Sequence, residues 1–140
     1  MSASVQGDAG TVLRDWFSRL SDAGFSSDLF LAGLAEDVTW TATGDSPVSG
    51  TFRGLAAYVE GVYRPLAARL ARWPEPVVER ITAEGQWGVV EFRGVGGIGH
   101  NGCDYSMRYC WSMRVENGLV QEVVGYYDQS KVHELFADPS

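Results

Sequence analysis

Two Asn-Gly dipeptides in the second half of the chain constrain its fold more than any other feature. They lie at 101–102 and 117–118, and each separates two runs that alternate between apolar and polar residues. Asn-Gly readily adopts the positive φ angles of a two-residue hairpin turn, so each dipeptide predicts a tight hairpin. The second half is therefore expected to form one long antiparallel meander. Its strands are predicted at 77–83, 86–100, 103–115 and 119–128.

The first half of the chain is predicted to be mainly helical. Apolar residues recur at helical spacing over 10–22, which is typical of an amphipathic helix. Pro65 lies inside a later helical segment and is expected to kink or split it. Helices followed by a meander predict an α+β layer fold, with one domain over 10–137 behind a disordered tip at 1–9. Helices are predicted at 10–22, directly after the serines at 26–27, at 55–70 and at 130–136, with short strands at 38–43 and 51–53.

Composition excludes several classes of partner. The chain has 140 residues, a formal net charge of -7 and an excess of Asp and Glu over Lys and Arg. An acidic chain lacks the basic face that binds nucleic acid or an anionic membrane surface. No apolar run approaches the roughly 18 residues of a membrane span, and the N-terminus does not resemble a signal peptide. We therefore expect a cytoplasmic protein with neither a nucleic-acid nor a membrane partner.

Counting outward from the turns assigns side chains to the two faces of the sheet. From the second turn, Tyr126 is expected opposite Tyr109, and Asp128 opposite Met107. Alternate residues point to opposite faces. The apolar set must then face the helices, and the polar set must face solvent or a partner subunit. The expected inner face carries Val90, Phe92, Ile98, Tyr105, Met107, Tyr109, Trp111, Met113, Val124 and Tyr126.

Two glycines interrupt this inner face. The first turn places Gly94 opposite Tyr109 and Gly96 opposite Met107, so a hole is expected between the sheet and the helices. Asp128 is expected to project toward that hole. An apolar pocket would raise the pKa of this carboxyl and suit it to general acid or base chemistry. The alternative is a helix N-cap, because Asp128 directly precedes the final predicted helix.

Other residues of this face are candidate donors or binding groups. His100 lies at the hairpin end and is interpreted as a proton partner, or alternatively as an exposed turn residue. Tyr105 offers a hydroxyl, with core packing as the alternative role. His133, in the final helix, is assigned to the surface or the core. The side chains expected to bind substrate are Trp40, Tyr58, Tyr63, Phe92, Met107, Tyr109, Trp111 and Tyr126.

No metal or cofactor is expected. Cys103 and Cys110 are too far apart along one strand to bond each other, and neither has the spacing of a metal site. The glycine-rich segment 94–99 superficially resembles a phosphate-binding loop. A hairpin rather than a helix follows that segment, so the phosphate interpretation fails.

Four segments resemble the SnoaL-like branch of the nuclear transport factor 2-like superfamily. They are FLAGLAEDVTW at 30–40, GDSPVSGTFRG at 44–54, YSMRYCWSMRVENG at 105–118 and EVVGYYD at 122–128. The resemblance covers residues 10–136 and implies a cone of three N-terminal helices on a strongly curved antiparallel sheet, with a pocket. It also implies a homodimer through the outer sheet face. The superfamily includes polyketide cyclases, ketosteroid isomerase, limonene epoxide hydrolase, and proteins without known catalysis.

The functional residues of these relatives match this chain only in part. The base of ketosteroid isomerase corresponds to Ala42, and its oxyanion tyrosine to positions 17–18. The Arg-x-Asp pair of limonene epoxide hydrolase falls on Phe92 and Gly94, whereas its last aspartate matches Asp128. SnoaL-like cyclases place an acid–base aspartate near the end of the sheet, where Asp128 is the nearest equivalent.

The leading hypothesis is a cofactor-independent enzyme acting on a hydrophobic, polyketide-like metabolite. It would move a proton next to a carbonyl in an isomerisation, cyclisation or elimination. Asp128 would be the acid or base, and Tyr105, Tyr126 and His100 would orient the substrate or stabilise a developing oxyanion. One alternative is a non-catalytic protein that binds an apolar ligand. Another is a hydrolase that uses a water activated by Asp128.

Overall fold

A helical layer packs against one face of a six-stranded sheet in the computed structural model, which describes residues 8–137. The helices are α1 (Ala9–Asp22), α2 (Ser27–Ala32), α3 (Leu55–Tyr58), a π-helical turn (Val59–Tyr63), α4 (Arg64–Arg69) and α5 (Gln129–Leu135). The strands are β1 (Leu34–Ala42), β2 (Gly50–Arg53), β3 (Leu70–Arg72), β4 (Glu75–Glu84), β5 (Trp87–Val95), β6 (Ile98–Gly99), β7 (Met107–Glu116) and β8 (Leu119–Tyr126). The predicted α+β architecture is confirmed.

The first helix begins slightly earlier than predicted. Asp8 is its N-cap, and the Asp8 carboxylate accepts a hydrogen bond of 2.8 Å from the Gly10 backbone N–H. Asp8 and Ala9 therefore belong to the cap and first turn of this helix, whereas the rest of the predicted tip, 1–7, lies outside the described residues. The buried stripe of α1 includes Leu13 and Phe17 and packs on the sheet as expected.

The third helical segment is split near its proline, as predicted. α4 begins at Arg64 with Pro65 in its first turn, and a π-helical turn precedes it. The Arg64 backbone N–H donates to the Val59 carbonyl, five residues back. Proline has no N–H to donate to the preceding turn, and the wider π-helical turn adapts the backbone to that loss.

The sheet is mixed rather than purely antiparallel. Its strand order is β2-β1-β8-β7-β5-β4, and β3 pairs separately with β6. All neighbours are antiparallel except β1 and β8, which run parallel. β1 enters the sheet from the helical layer rather than through a hairpin with β8, so nothing requires it to run antiparallel.

The turn at Asn117-Gly118 is the predicted two-residue hairpin. Glu116 pairs with Leu119, and the two turn residues have φ angles of 57° and 77°. A little further along the strands the register slips, because Gln121 is an extra residue in β8. This β-bulge lies beside the turn and cannot be seen in the alternation pattern.

The bulge reverses the direction of the side chains at the end of β8. A slip of one residue moves every later side chain to the opposite face of the sheet. Tyr126 consequently pairs with Cys110 rather than Tyr109 and is 51% exposed on the outer face. The predicted inward placement of Tyr126 and Asp128 is therefore wrong.

The first Asn-Gly dipeptide lies in a longer loop than predicted. The Gly102 backbone N–H donates to the Gly99 carbonyl at 2.9 Å, and Tyr105 N–H donates to Gly97 at 2.8 Å. β6 pairs with β3 instead of extending β5. The Asn101 side-chain amide reaches α5, where it donates to the Glu134 carbonyl at 2.8 Å.

This longer loop shifts the register of β5 and β7 by two residues. Gly94 pairs with Met107, and Phe92 pairs with Tyr109. An even shift keeps each side chain on its predicted face. Phe92, Tyr109 and Trp111 accordingly lie on the inner side, as expected. Within residues 8–137, no helix is long and apolar enough to cross a membrane.

Candidate ligand pocket

A cavity lies between the helical layer and the inner face of the sheet. Its open space totals about 680 Å³, counted out to the mouth. The helical side contributes Phe17, Leu20, Phe25, Phe30, Tyr58, Val62, Tyr63 and Leu66. The strands and their connections contribute Trp40, Trp73, Pro74, Pro76, Phe92, Gly94, Tyr105, Tyr109, Trp111 and Tyr127.

Aromatic rings form the sheet wall of the cavity. The Trp111 ring lies 5.1 Å from Trp40 and 4.9 Å from Phe92, nearly perpendicular to both. Phe92 in turn stacks on Tyr109 at 4.7 Å. Walls of this kind favour a flat apolar ligand, because aromatic rings pack well both face to face and edge to face.

The π-helical turn helps to build the opposite wall. Tyr58 directly precedes the turn, and its ring centroid lies 4.3 Å from that of Trp40. Tyr63 ends the turn and stacks on Trp73 at 5.2 Å. Tyr58, Val62 and Tyr63 all line the cavity. Isolated π-helical turns are frequent at functional sites.

Tyrosine hydroxyls are the main polar groups of the cavity. Burial raises the pKa of Tyr58, Tyr105, Tyr109 and Tyr127 above the ordinary tyrosine value. A hydrogen bond from Tyr109 partly opposes this effect at Tyr105. Tyr127 accepts a hydrogen bond of 3.1 Å from Trp40 Nε1. Near neutral pH these four groups are uncharged hydrogen-bond donors and acceptors.

Charged groups are absent from the cavity lining. Within the part of the chain that the structure describes, the lining contains no Asp, Glu, His, Lys, Arg or Cys. Residues 8–137 as a whole contain no cluster of three side chains that could hold a metal ion. A charge buried in such surroundings would be unfavourable without a partner, so the cavity suits a neutral molecule.

The cavity brings together most of the residues predicted from the sequence. Their roles in binding or catalysis stay predictions, but their common location on one cavity agrees with the expected faces. These residues are Trp40, Tyr58, Tyr63, Phe92, Tyr105, Tyr109 and Trp111.

Asp128 lies outside this cavity, contrary to the prediction. It is the N-cap of α5, where Ser130 donates to its carboxylate from the backbone at 3.1 Å and from the hydroxyl at 2.6 Å. The Ser130 hydroxyl bond holds the pKa of Asp128 below its usual value, the opposite of what a base in an apolar pocket would show. The bulge at Gln121 is the physical cause, because it turns this end of the strand outward.

Three other predicted site residues also lie outside the lining. His100 is exposed in the loop, and its backbone N–H donates to the Arg69 carbonyl at 2.8 Å. Tyr126 points away because of the bulge. Met107 is buried, but the register shift pairs it with Gly94 near the start of β7, outside the set of lining side chains.

Only Gly94 of the two glycines borders the cavity. A Cβ atom there would lie 2.9 Å from Tyr109 Cε1 and 3.0 Å from Pro74 Cβ. The glycine therefore makes room for the Tyr109 ring instead of leaving a void. Gly96 is exposed with a φ of 78° and open space around it, so the hole expected there is wrong. β5 ends at Val95, so Gly96 does not pair with Met107 as predicted.

Sequence reasoning missed several lining residues. Phe17 and Phe30 belong to apolar helical stripes, which look alike whether they face a packed core or a pocket. Phe25 and Trp73 lie in connections between elements and stack on each other at 5.2 Å. The predicted register would turn Tyr127 to the outer face by alternation, and only the bulge brings it to the cavity.

Comparisons with known proteins agree with this architecture. The sequence model of the SnoaL-like domain matches residues 13–123. No curated protein shows a significant match. An NTF2-like protein from Burkholderia thailandensis superposes with a TM-score of 0.75 at 19% identity, covering 94% of this chain and 98% of that one.

Two further solved structures share the fold. An M. tuberculosis LEH-like epoxide hydrolase has a TM-score of 0.64 at 19% identity, over 91% of this chain and 87% of that one. TerC, co-crystallised with polyporic acid, has a TM-score of 0.68 at 18% identity, over 89% of this chain and 95% of that one. Identities this low establish the fold alone, whereas the sequence match extends over most of the chain. The chain belongs to the SnoaL-like domain family, with the NTF2-like fold.

Proposed function

We propose that the protein binds a flat, largely apolar small molecule that carries at least one hydrogen-bond-accepting oxygen. The observation that carries this proposal is the lining of the cavity, in which aromatic walls surround neutral tyrosine hydroxyls and, among residues 8–137, no charged side chain. Stacking would hold the body of the ligand, and the hydroxyls would orient its polar end.

The relatives support a small-molecule pocket in this fold. One structural neighbour is an epoxide hydrolase, and another was co-crystallised with polyporic acid. The SnoaL-like resemblance adds polyketide-like metabolites as a ligand class of suitable hydrophobic character.

Catalysis without a cofactor is the second candidate, as an isomerase, cyclase or lyase. Tyr58, Tyr105, Tyr109 and Tyr127 all line the cavity, and burial keeps their hydroxyls protonated. Donors fixed in a low-dielectric site stabilise an oxyanion that develops at a carbonyl. The carbon-bound proton would pass to water or a buffer base entering through the mouth, because no carboxylate or imidazole among the described residues lines the cavity. Asp128 has no part in this scheme, since it lies outside the cavity. A hydrolase using water activated by Asp128 lacks support for the same reason.

A homodimer through the outer sheet face is a further proposal. Tyr126 is half exposed there, next to an open groove that Glu91, Arg108 and Cys110 also line. A second copy would cover the exposed tyrosine. Light scattering over a range of concentrations tests this proposal, and a monomer at all concentrations would contradict it.

Binding can be tested with indanone, a flat bicyclic aryl ketone. Isothermal titration calorimetry should detect binding to the wild type. Val62→Phe, at a buried lining position, should weaken binding by about tenfold or more, because the larger ring occupies ligand space. Val77→Phe makes the same substitution at a side chain that is 38% exposed, outside the cavity, and should bind like the wild type.

The outcome that contradicts the proposal is equally specific. Either no binding by the wild type or equal binding by Val62→Phe would contradict it. Should Val62→Phe fail to fold by circular dichroism, Leu66→Phe places the block at a half-buried lining position instead.

Catalysis can be separated from binding with the same ketone. An enzyme of the second type should accelerate exchange of the protons next to the indanone carbonyl for deuterium from heavy water, followed by NMR. Tyr105→Phe should slow this exchange. Tight binding with exchange at the buffer rate would favour a non-catalytic protein.

A further inference from the structure

A buried indole N–H without a partner belongs to one of the residues that line the cavity. Trp111 lies in β7, near the middle of the sheet, and its side chain lines the cavity. The residue is 9% exposed, and its Nε1 atom is buried with no hydrogen-bond partner among residues 8–137. Buried polar atoms in folded proteins are nearly always paired, so this exception needs an explanation.

The other buried tryptophans each donate a hydrogen bond through the indole N–H. Trp16 Nε1 donates to the Leu29 carbonyl at 3.1 Å. Trp40 Nε1 donates to the Tyr127 hydroxyl, also at 3.1 Å. Both side chains are at least as buried as Trp111. The unpaired donor therefore distinguishes Trp111 from its buried counterparts.

We propose that Trp111 Nε1 is the donor that recognises the ligand's oxygen, and that this oxygen is a neutral carbonyl. This inference rests on the proposed binding function and goes beyond it, because it names one donor and one acceptor class. An indole nitrogen donates and does not accept. No cationic side chain among the described residues lines the cavity, so a carboxylate would be buried without a counter-charge. A carbonyl accepts the bond without that penalty.

Neighbouring groups make a second contact with the same oxygen possible. Trp111 pairs across the sheet with Gly125. A Cβ atom at Gly125 would lie 2.5 Å from the Tyr127 hydroxyl, so the glycine lets that hydroxyl lie close to the strand beside Trp111. Trp111 and Tyr127 both line the cavity, so the Tyr127 hydroxyl is a candidate second donor to the same oxygen.

The competing internal partner is an aromatic ring. Trp40 and Phe92 both stand nearly perpendicular to Trp111, at 80° and 86°. An N–H directed at such a ring is weaker than a bond to a carbonyl. If a ring already satisfies the donor, a ketone gains nothing over a hydrocarbon of the same shape.

The test compares indanone with indane, which has the same ring system without the oxygen. The wild type should bind indanone about fivefold to tenfold more tightly than indane, the effect of one added hydrogen bond. Trp111→Phe keeps an aromatic ring and removes the donor, so its preference for indanone should fall to about twofold or less. Trp16→Phe, a buried tryptophan outside the lining, should retain the wild-type preference.

An NMR measurement on the wild type tests the same hydrogen bond without depending on whether the Trp111→Phe variant folds. The indole N–H resonance of Trp111, assigned through the backbone, should move downfield with indanone and much less with indane. An unchanged preference in Trp111→Phe would overturn the inference and leave the proposed binding function intact. Equal affinities of the wild type for the two ligands would overturn the inference and the required ligand oxygen together, and would leave only binding of a flat apolar molecule. If neither ligand binds, the proposed function and the inference fail together.

Discussion

Raising the pH above the ordinary tyrosine pKa is expected to unfold this protein steeply. Burial raises the pKa of Tyr58, Tyr105, Tyr109 and Tyr127 above 10.0. In the unfolded chain the same hydroxyls titrate near their ordinary value. Above that value the unfolded state has released protons that the folded state keeps. The stabilising contribution is therefore complete below pH 10.0 and is lost as the pH rises.

The change in the free energy of unfolding with pH follows from proton linkage. One tyrosine that is protonated only in the folded state removes about 1.4 kcal/mol of stability per pH unit. The four buried tyrosines together remove about 5–6 kcal/mol per pH unit while all stay protonated in the fold. A domain of this size is stable by about 5–15 kcal/mol. We therefore expect complete unfolding within about one to three pH units above the ordinary tyrosine value.

Denaturant titrations at several pH values on both sides of 10.0 give the free energy of unfolding directly. Tyr58→Phe should reduce the alkaline slope by about 1.4 kcal/mol per pH unit, because one linked proton is gone. Tyr126→Phe removes a hydroxyl from the outer face and controls for the substitution itself. A free energy of unfolding that does not change with pH above 10.0, or equal effects of the two variants, would refute the reasoning.

Asp128→Ala should lower the free energy of unfolding by about 1 kcal/mol, because α5 loses its N-cap, and should leave indanone affinity unchanged. Urea denaturation measures the free energy of unfolding, and calorimetry measures the affinity for indanone. A loss of indanone binding would indicate that Asp128 belongs to the ligand site. Asn101→Ala should lower the free energy of unfolding by about 1–2 kcal/mol, because the Asn101 amide donates to carbonyls at the end of α5. Urea denaturation measures this change. An unchanged free energy of unfolding would show that water replaces the contacts. Gly125→Ala should destabilise the fold by about 1–3 kcal/mol and weaken indanone binding, because its Cβ would collide with the Tyr127 hydroxyl. Thermal denaturation and calorimetry test this, and wild-type values for both would disprove the crowding.

Local chemistry explains what the sequence predicted well. The hairpin at Asn117-Gly118, the buried stripe of α1 and the break near Pro65 each depend on residues within a turn or two of the chain. Each has one strongly preferred geometry, which longer-range contacts did not override. The aromatic character of the site followed from the same alternation, because an even register shift left Phe92 and Tyr109 on the inner face.

Long-range pairing explains what the sequence predicted poorly. Gln121 looks like any outward residue of a strand, yet it is the bulged residue that turns Asp128 away from the cavity. β8 pairs with β7 on one side and with β1, from the far half of the chain, on the other. The register of β8 must suit both neighbours, and no local pattern records that. Asn101 was likewise predicted to form a tight turn, whereas its side chain binds α5.

The bulge at Gln121 has a consequence for how this family diverges. Tyr126 and Tyr127 are adjacent and identical, so a β8 strand of the same length that paired without the bulge would exchange the ring that faces the cavity without altering composition. A relative of equal length without the bulge would present the first tyrosine, on a slightly different part of the wall. Pocket shape in such proteins can therefore change through the register of a strand, and tyrosines that align between two relatives need not contact the same ligand.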